Sequence, residues 1–75
     1  MLLKDGTYGR EYAVADICLA PRIVHRLEVL GLVKGARVII LGKKRKGPVI
    51  IKVRGTRFAI GRKMADGIHI EVVYE

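Results

Sequence analysis

Residues 27–35 read LEVLGLVKG: the end of an amphipathic helix, a glycine stop and the entry into a β-strand. Pro21 upstream suits the first turn of a helix, where a missing N–H costs nothing, and the spacing predicts a helix over residues 21–30. At about 100° per residue Ile23, Leu27 and Leu30 fall on one side, with Val24 flanking. Gly31 then takes the stop position, whose left-handed backbone only glycine adopts cheaply. Leu32 follows, placed to pack back on Leu27.

Around this helix the pattern changes to period two. Before it, residues 10–17 (REYAVADI) predict a strand with Tyr12 and Val14 on one side and Ala13 and Ala15 on the other. After it come GARVIILG, GPVIIKVRG, TRFAIG and GIHIEVVYE. Residues 38–41 are apolar on both sides, which predicts a strand lying under the helix. Val49, Ile51 and Val53 alternate with Ile50, Lys52 and Arg54, and Ile68, Ile70 and Val72 with His69, Glu71 and Val73. Arg54-Gly55-Thr56 reads as a tight hairpin turn with Gly55 at positive φ. Residues 61–66 (GRKMAD) predict a single helical turn before the last strand, with Met64 and Ala65 closing one end. Residues 1–8, where Gly6 and Gly9 bracket Tyr8, read as a loosely held lead-in. The expectation is a mainly β fold: a small, closed or nearly closed barrel of about five strands, because closure removes aggregation-prone edges.

The 75 residues make one domain over 1–75. A chain this short buries only about 60% of its unfolded surface, so its core is thin. With three Tyr, one Phe and no Trp, that core must be aliphatic. The single cysteine, Cys18, excludes an internal disulfide. No apolar run reaches the roughly 20 residues that span a bilayer, and MLLKDGTYG lacks the hydrophobic stretch of a signal peptide. The expected location is the cytoplasm. Fifteen Lys and Arg against seven Asp and Glu leave a net charge of +8. A positive field of this size attracts nucleic acid, anionic headgroups or acidic protein faces without choosing among them.

Two features are candidates for contact. Lys43, Lys44, Arg45 and Lys46 form a basic loop flanked by Gly42 and Gly47-Pro48. Four adjacent cations repel one another, so the loop reads either as anion-seeking or as a solubilised hairpin tip. On the outer helical face Arg22, His25, Arg26 and Val29 fall within about 100° of one another. An apolar residue among cations there is either a protein contact or a single tolerated valine. Cys18, His25 and His69 lie far apart and match no tight ligand spacing, so no metal ligand is assigned. Cys18 reads as a small core residue and His69 as an outward strand residue beside Glu71. No cofactor is expected: no glycine-rich loop leads from a strand into a helix. Thr7 and Thr56 sit in turns and the carboxylates show no paired arrangement, so catalysis is not expected.

The order of these parts resembles the ferrous iron transport protein A (FeoA) family. The residues that carry the resemblance are Leu27, Leu30-Gly31-Leu32 and Gly35, then Val38, Gly47-Pro48 and Gly55, then Ala59-Ile60 and Ala65, and finally Ile68, Ile70 and Val72. GREYAVADI fits the family's first strand, and the match covers about residues 9–73. The resemblance implies an SH3-like barrel with a helix inserted after the first strand. It also implies a non-enzymatic cytosolic accessory that acts with a large membrane GTPase importing ferrous iron, and a link to transition metal ions without assigned ligands. On this reading Arg22, His25, Arg26, Val29 and the 43–46 loop meet the cytoplasmic part of the transporter, with weak contact to anionic lipid at the inner face of the membrane. The competing reading is a small basic nucleic-acid-binding barrel, with residues 43–46, Lys52, Arg54 and Arg57 along a phosphate track. The scarcity of aromatics argues against base stacking.

Overall fold

The computed structural model describes residues 1–74; the last residue of the final predicted strand segment, Glu75, lies outside them. Five antiparallel strands, β1 (Glu11–Ile17), β2 (Arg37–Lys43), β3 (Val49–Val53), β4 (Thr56–Ile60) and β5 (Ile68–Val72), form one sheet in the order β4-β3-β2-β1-β5. Helix α1 (Pro21–Val29) sits between β1 and β2, and the single turn α2 (Arg62–Ala65) joins β4 to β5.

The sheet curls around an aliphatic core. Tyr12 and Val14 of β1, Val38 and Ile40 of β2, Val49, Ile51 and Val53 of β3, Ile60 of β4 and Ile68 and Ile70 of β5 all point inward and are buried. The ladder slips between Val14 and Asp16 against β5, and between Ile40 and Gly42 against β3. Each slip adds an unpaired residue that increases local twist, which lets a short sheet bend into a barrel. The β3–β4 hairpin closes through Arg54 (φ 52°) and Gly55 (φ 79°), with Val53 opposite Thr56. Positive φ at both central residues matches the twist of the flanking strands.

The helix ends as its sequence demands. Leu32 N–H donates to Leu27 O at 2.9 Å, and Gly31 N–H donates to Glu28 O at 2.9 Å, with Gly31 at φ 93°. These two bonds satisfy carbonyls that the last turn would leave open. Leu27 and Leu32 are both buried.

Four expectations need correction. Residues 1–8 are not a loose lead-in. Leu3 is fully buried in the core, in a 3₁₀ turn over Leu3–Asp5. Leu2 bridges His69, and Ile70 N–H donates to Met1 O at 2.7 Å, so the N-terminal residues cover the outer edge of β5. Leu30 is not a core residue: it caps the helix and is 45% exposed. Cys18 is exposed rather than buried, because it follows the end of β1, where the chain leaves the sheet. The β2 strand does not lie under the helix. Val38 and Ile40 face the barrel interior, and the apolar side of α1 looks instead toward β4 and α2.

Candidate interaction surface

Between α1 and the β4–α2 segment runs an open cleft of about 380 Å³, lined by Ile23, Arg26, Leu27 and Leu30 on one side and Phe58, Ala59, Ile60 and Met64 on the other. The volume falls in the range of ligand-sized clefts, and seven of its eight lining residues are apolar. Leu27 reaches the core, while Ile23 is only partly buried and Leu30 stops short.

The predicted helical face lies beside this cleft. Arg22, His25, Arg26 and Val29 are all exposed, and Val29 is 75% exposed. Val29 and Leu30 therefore form an apolar tip at the end of the helix, next to the cleft. Arg22 and Arg26 are one turn apart on a helix, where like charges repel. Neither takes part in an ion pair among the described residues.

The basic loop lies off the β2–β3 turn, with Lys43, Lys44, Arg45 and Lys46 exposed. It is pinned rather than free. Lys43 Nζ donates to Lys4 O at 3.1 Å, and Arg62 donates from Nε to Gly47 O at 3.4 Å and from Nη2 to Lys44 O at 3.3 Å. The α2 turn thus connects the two candidate regions: Arg62 holds the loop and Met64 lines the cleft. The proposed phosphate track is split. Lys52 and Arg57 oppose each other across β3 and β4, while Arg54 lies at the hairpin, the far end of β3 from the loop.

Asp16, Cys18 and Lys34 form a small polar group on another side. Asp16 accepts from Ile17 N–H at 2.9 Å and from Cys18 Sγ at 3.5 Å, and its Oδ1 is 3.4 Å from Lys34 Nζ. The Ile17 N–H, then the Cys18 thiol and the Lys34 charge, hold the Asp16 carboxyl below its usual range. The same contact with Asp16 pushes the Cys18 thiol up, so this cysteine is a poor thiolate. No cluster of three or more metal-ligating side chains occurs among the described residues. The cleft and the exposed Leu30 were missed from the sequence. The residues of the cleft come from α1, β4 and α2, which no local pattern in the sequence brings together.

A five-stranded barrel with a helix after its first strand defines a small SH3-like domain, here with an apolar cleft beside that helix and an exposed basic loop. The family model for the FeoA domain matches residues 1–72, and the chain belongs to that family. The family is linked to ferrous iron transport. The solution structure of the FeoA protein of Chlorobium tepidum is similar at a TM-score of 0.89 and 28% identity, covering 99% of this chain and 71% of that one. The crystal structure of an iron uptake regulatory protein (FeoA) is similar at 0.84 and 31% identity, covering 95% and 93%. The zinc complex of Stenotrophomonas maltophilia FeoA, described as a prokaryotic SH3 domain protein, is similar at 0.78 and 26% identity, covering 95% and 89%. No curated protein matches the sequence. Among the described residues no helix is long and apolar enough to cross a membrane.

Proposed function

We propose that this chain is a non-enzymatic accessory that docks on the cytoplasmic part of a membrane GTPase importing ferrous iron, working at the inner face of the membrane. The observation that carries the reading is the exposed apolar tip Val29–Leu30, continuous with an apolar cleft and set among Arg22, His25 and Arg26. Charge and apolar area have separate tasks in such a contact. The +8 field speeds encounter with an acidic surface. Burial of Val29 and Leu30 then slows dissociation, contributing about 1–2 kcal/mol each.

Family membership supports the link to iron uptake, and the exposed apolar tip beside a cleft lined almost wholly by apolar side chains supports a binding role. The test is co-purification of the tagged chain with the detergent-solubilised transporter at low salt. Retention is expected for the native chain, with Val29→Asp reducing it. Failure of the intact transporter to be retained by the native chain sinks the proposal.

A further inference from the structure

The two edges of the sheet are treated differently. The outer edge of β5 is covered by the N-terminal residues, through the Leu2–His69 bridge and the bond from Ile70 N–H to Met1 O. The outer edge of β4 is not. Because Val53 and Thr56 close a two-residue turn, Thr56, Phe58 and Ile60 pair with β3, and the backbone N–H and C=O groups of Arg57 and Ala59 point away from it. Among the described residues no backbone hydrogen bond leaves β4 on that side. An unpaired strand edge is a template for another strand.

The cleft beside α1 runs along this edge. Phe58, Ala59 and Ile60 all line it. Consecutive strand residues alternate between faces, so a cleft touching all three meets the strand at its edge. A segment paired there has backbone partners on β4 and apolar side chains of α1 (Ile23, Leu27, Leu30) along its other flank.

The surrounding charge selects the occupant. Arg26 lines the cleft, Arg22 is one turn before it, Arg57 is on β4 and Lys63 precedes Met64. No carboxylate lines the cleft, and none of these four cations is in an ion pair among the described residues. Lys52 and Arg57 are directly opposed across the strands, a destabilising arrangement without an anion nearby. A second copy of the chain brings another +8 to this edge and is repelled.

We propose that the free edge of β4, with the adjoining face of α1, binds an extended segment of a partner protein by strand addition, the segment carrying alternating apolar residues flanked by Asp or Glu. This names the binding mode of the docking surface and rests on that reading.

The experiment uses the full chain with two ligands: the transporter's purified cytoplasmic part, and a synthetic peptide of alternating valine and threonine with two aspartates at each end. Expected are slowed amide exchange at Arg57 and Ala59 with either ligand, and binding of the aspartate peptide about tenfold or more tighter than its lysine-flanked counterpart. Ala59→Pro removes one edge donor at a position where proline is tolerated, and is expected to weaken both interactions by about tenfold or more. NMR shifts of the unbound variant check that it folds. Should it not fold, the exchange data on the native chain decide. Binding of the transporter fragment with no protection at Arg57 and Ala59 overturns strand addition and leaves the docking proposal standing. Absence of fragment binding sinks the docking proposal, and the peptide then decides the edge: protection supports it, and no protection overturns it. Protection that rises with the chain's own concentration overturns the choice of occupant in favour of self-pairing.

Discussion

Arg54 packs against Gly31: a β-carbon at position 31 would lie 3.2 Å from Arg54 Cδ and 3.3 Å from its Nε. The helix stop and the β3–β4 turn, 23 positions apart in the chain, therefore meet at a point where only a hydrogen fits comfortably. Gly31→Ala combines left-handed strain at φ 93° with crowding by Arg54. The expected loss is about 1–3 kcal/mol in urea denaturation. Gly35, at φ 85° with open space around it, provides the control. Gly35→Ala is expected to cost only the backbone part, about 1–2 kcal/mol. Arg54→Ala in the Gly31→Ala background should recover the difference. An unchanged double variant would show that crowding contributes nothing.

Leu3 contributes to the core from a segment that looks dispensable. It is fully buried in the same cluster as Ile68, Ile70 and Ala65. Leu3→Ala is expected to destabilise the chain by about 2–5 kcal/mol, the cost of a buried leucine truncation. For a domain of this size that corresponds to a fall in Tm of roughly 10 °C or more. Thermal unfolding by circular dichroism measures it. A shift within error would return residues 1–8 to the status of a loose lead-in.

What the sequence made legible was local. The helix stop needs only Leu27, Glu28, Gly31 and Leu32, which lie within six positions, and both of its hydrogen bonds form as expected. Alternation likewise identified the inward residues of β3 and β5, because a strand half-buried in a barrel must alternate. The misses are non-local. Leu3 follows Met1 and Leu2 and precedes Lys4, Asp5 and Gly6, a stretch too short to show a period, and its burial goes with the bridge from Leu2 to His69 at the other end of the chain. Leu30 has the right helical phase for the core. Its exposure depends on β4 and α2 standing off from the helix, a distance that no periodicity encodes. The residues of the apolar cleft come from α1, β4 and α2, so the cleft appears only once the sheet order is known.

The contact between Asp16 and Cys18 has a pH signature. The Asp16 carboxyl is held low in the folded chain, so it contributes stability that is complete above the unfolded value and is lost as pH falls through the folded one. That window opens near the ordinary aspartate pKa of about 3.9 and extends below it. Asp16→Asn removes this contribution, so its stability is expected to fall less than that of the native chain between neutral pH and pH 3. The Cys18 thiol responds in the opposite direction. Asp16 holds it above the ordinary thiol value, so Asp16→Asn should move the pH midpoint of iodoacetamide labelling downward. Coincident labelling profiles for the two proteins would rule out the coupling.

The basic loop should act on rates rather than on residence. Lys44, Arg45 and Lys46 are exposed, and the hydrogen bonds that pin the loop run from Lys43 Nζ to Lys4 O and from Arg62 to the backbone carbonyls of Lys44 and Gly47, so none uses these three side chains. Replacing all three with glutamate therefore leaves the pinning by Arg62 in place while reversing the local field. The expected result is an association rate with the transporter's cytoplasmic part about tenfold lower at low salt, with a weaker salt dependence and a nearly unchanged dissociation rate. Stopped-flow fluorescence at two ionic strengths separates the two rate constants. Val29→Asp should do the reverse, speeding dissociation while leaving the salt slope close to native. If the glutamate variant instead dissociates faster, the loop lies inside the interface. If the native chain binds RNA in a gel shift with affinity falling steeply in salt, and the glutamate variant loses that binding, phosphate contact becomes the better account of the loop.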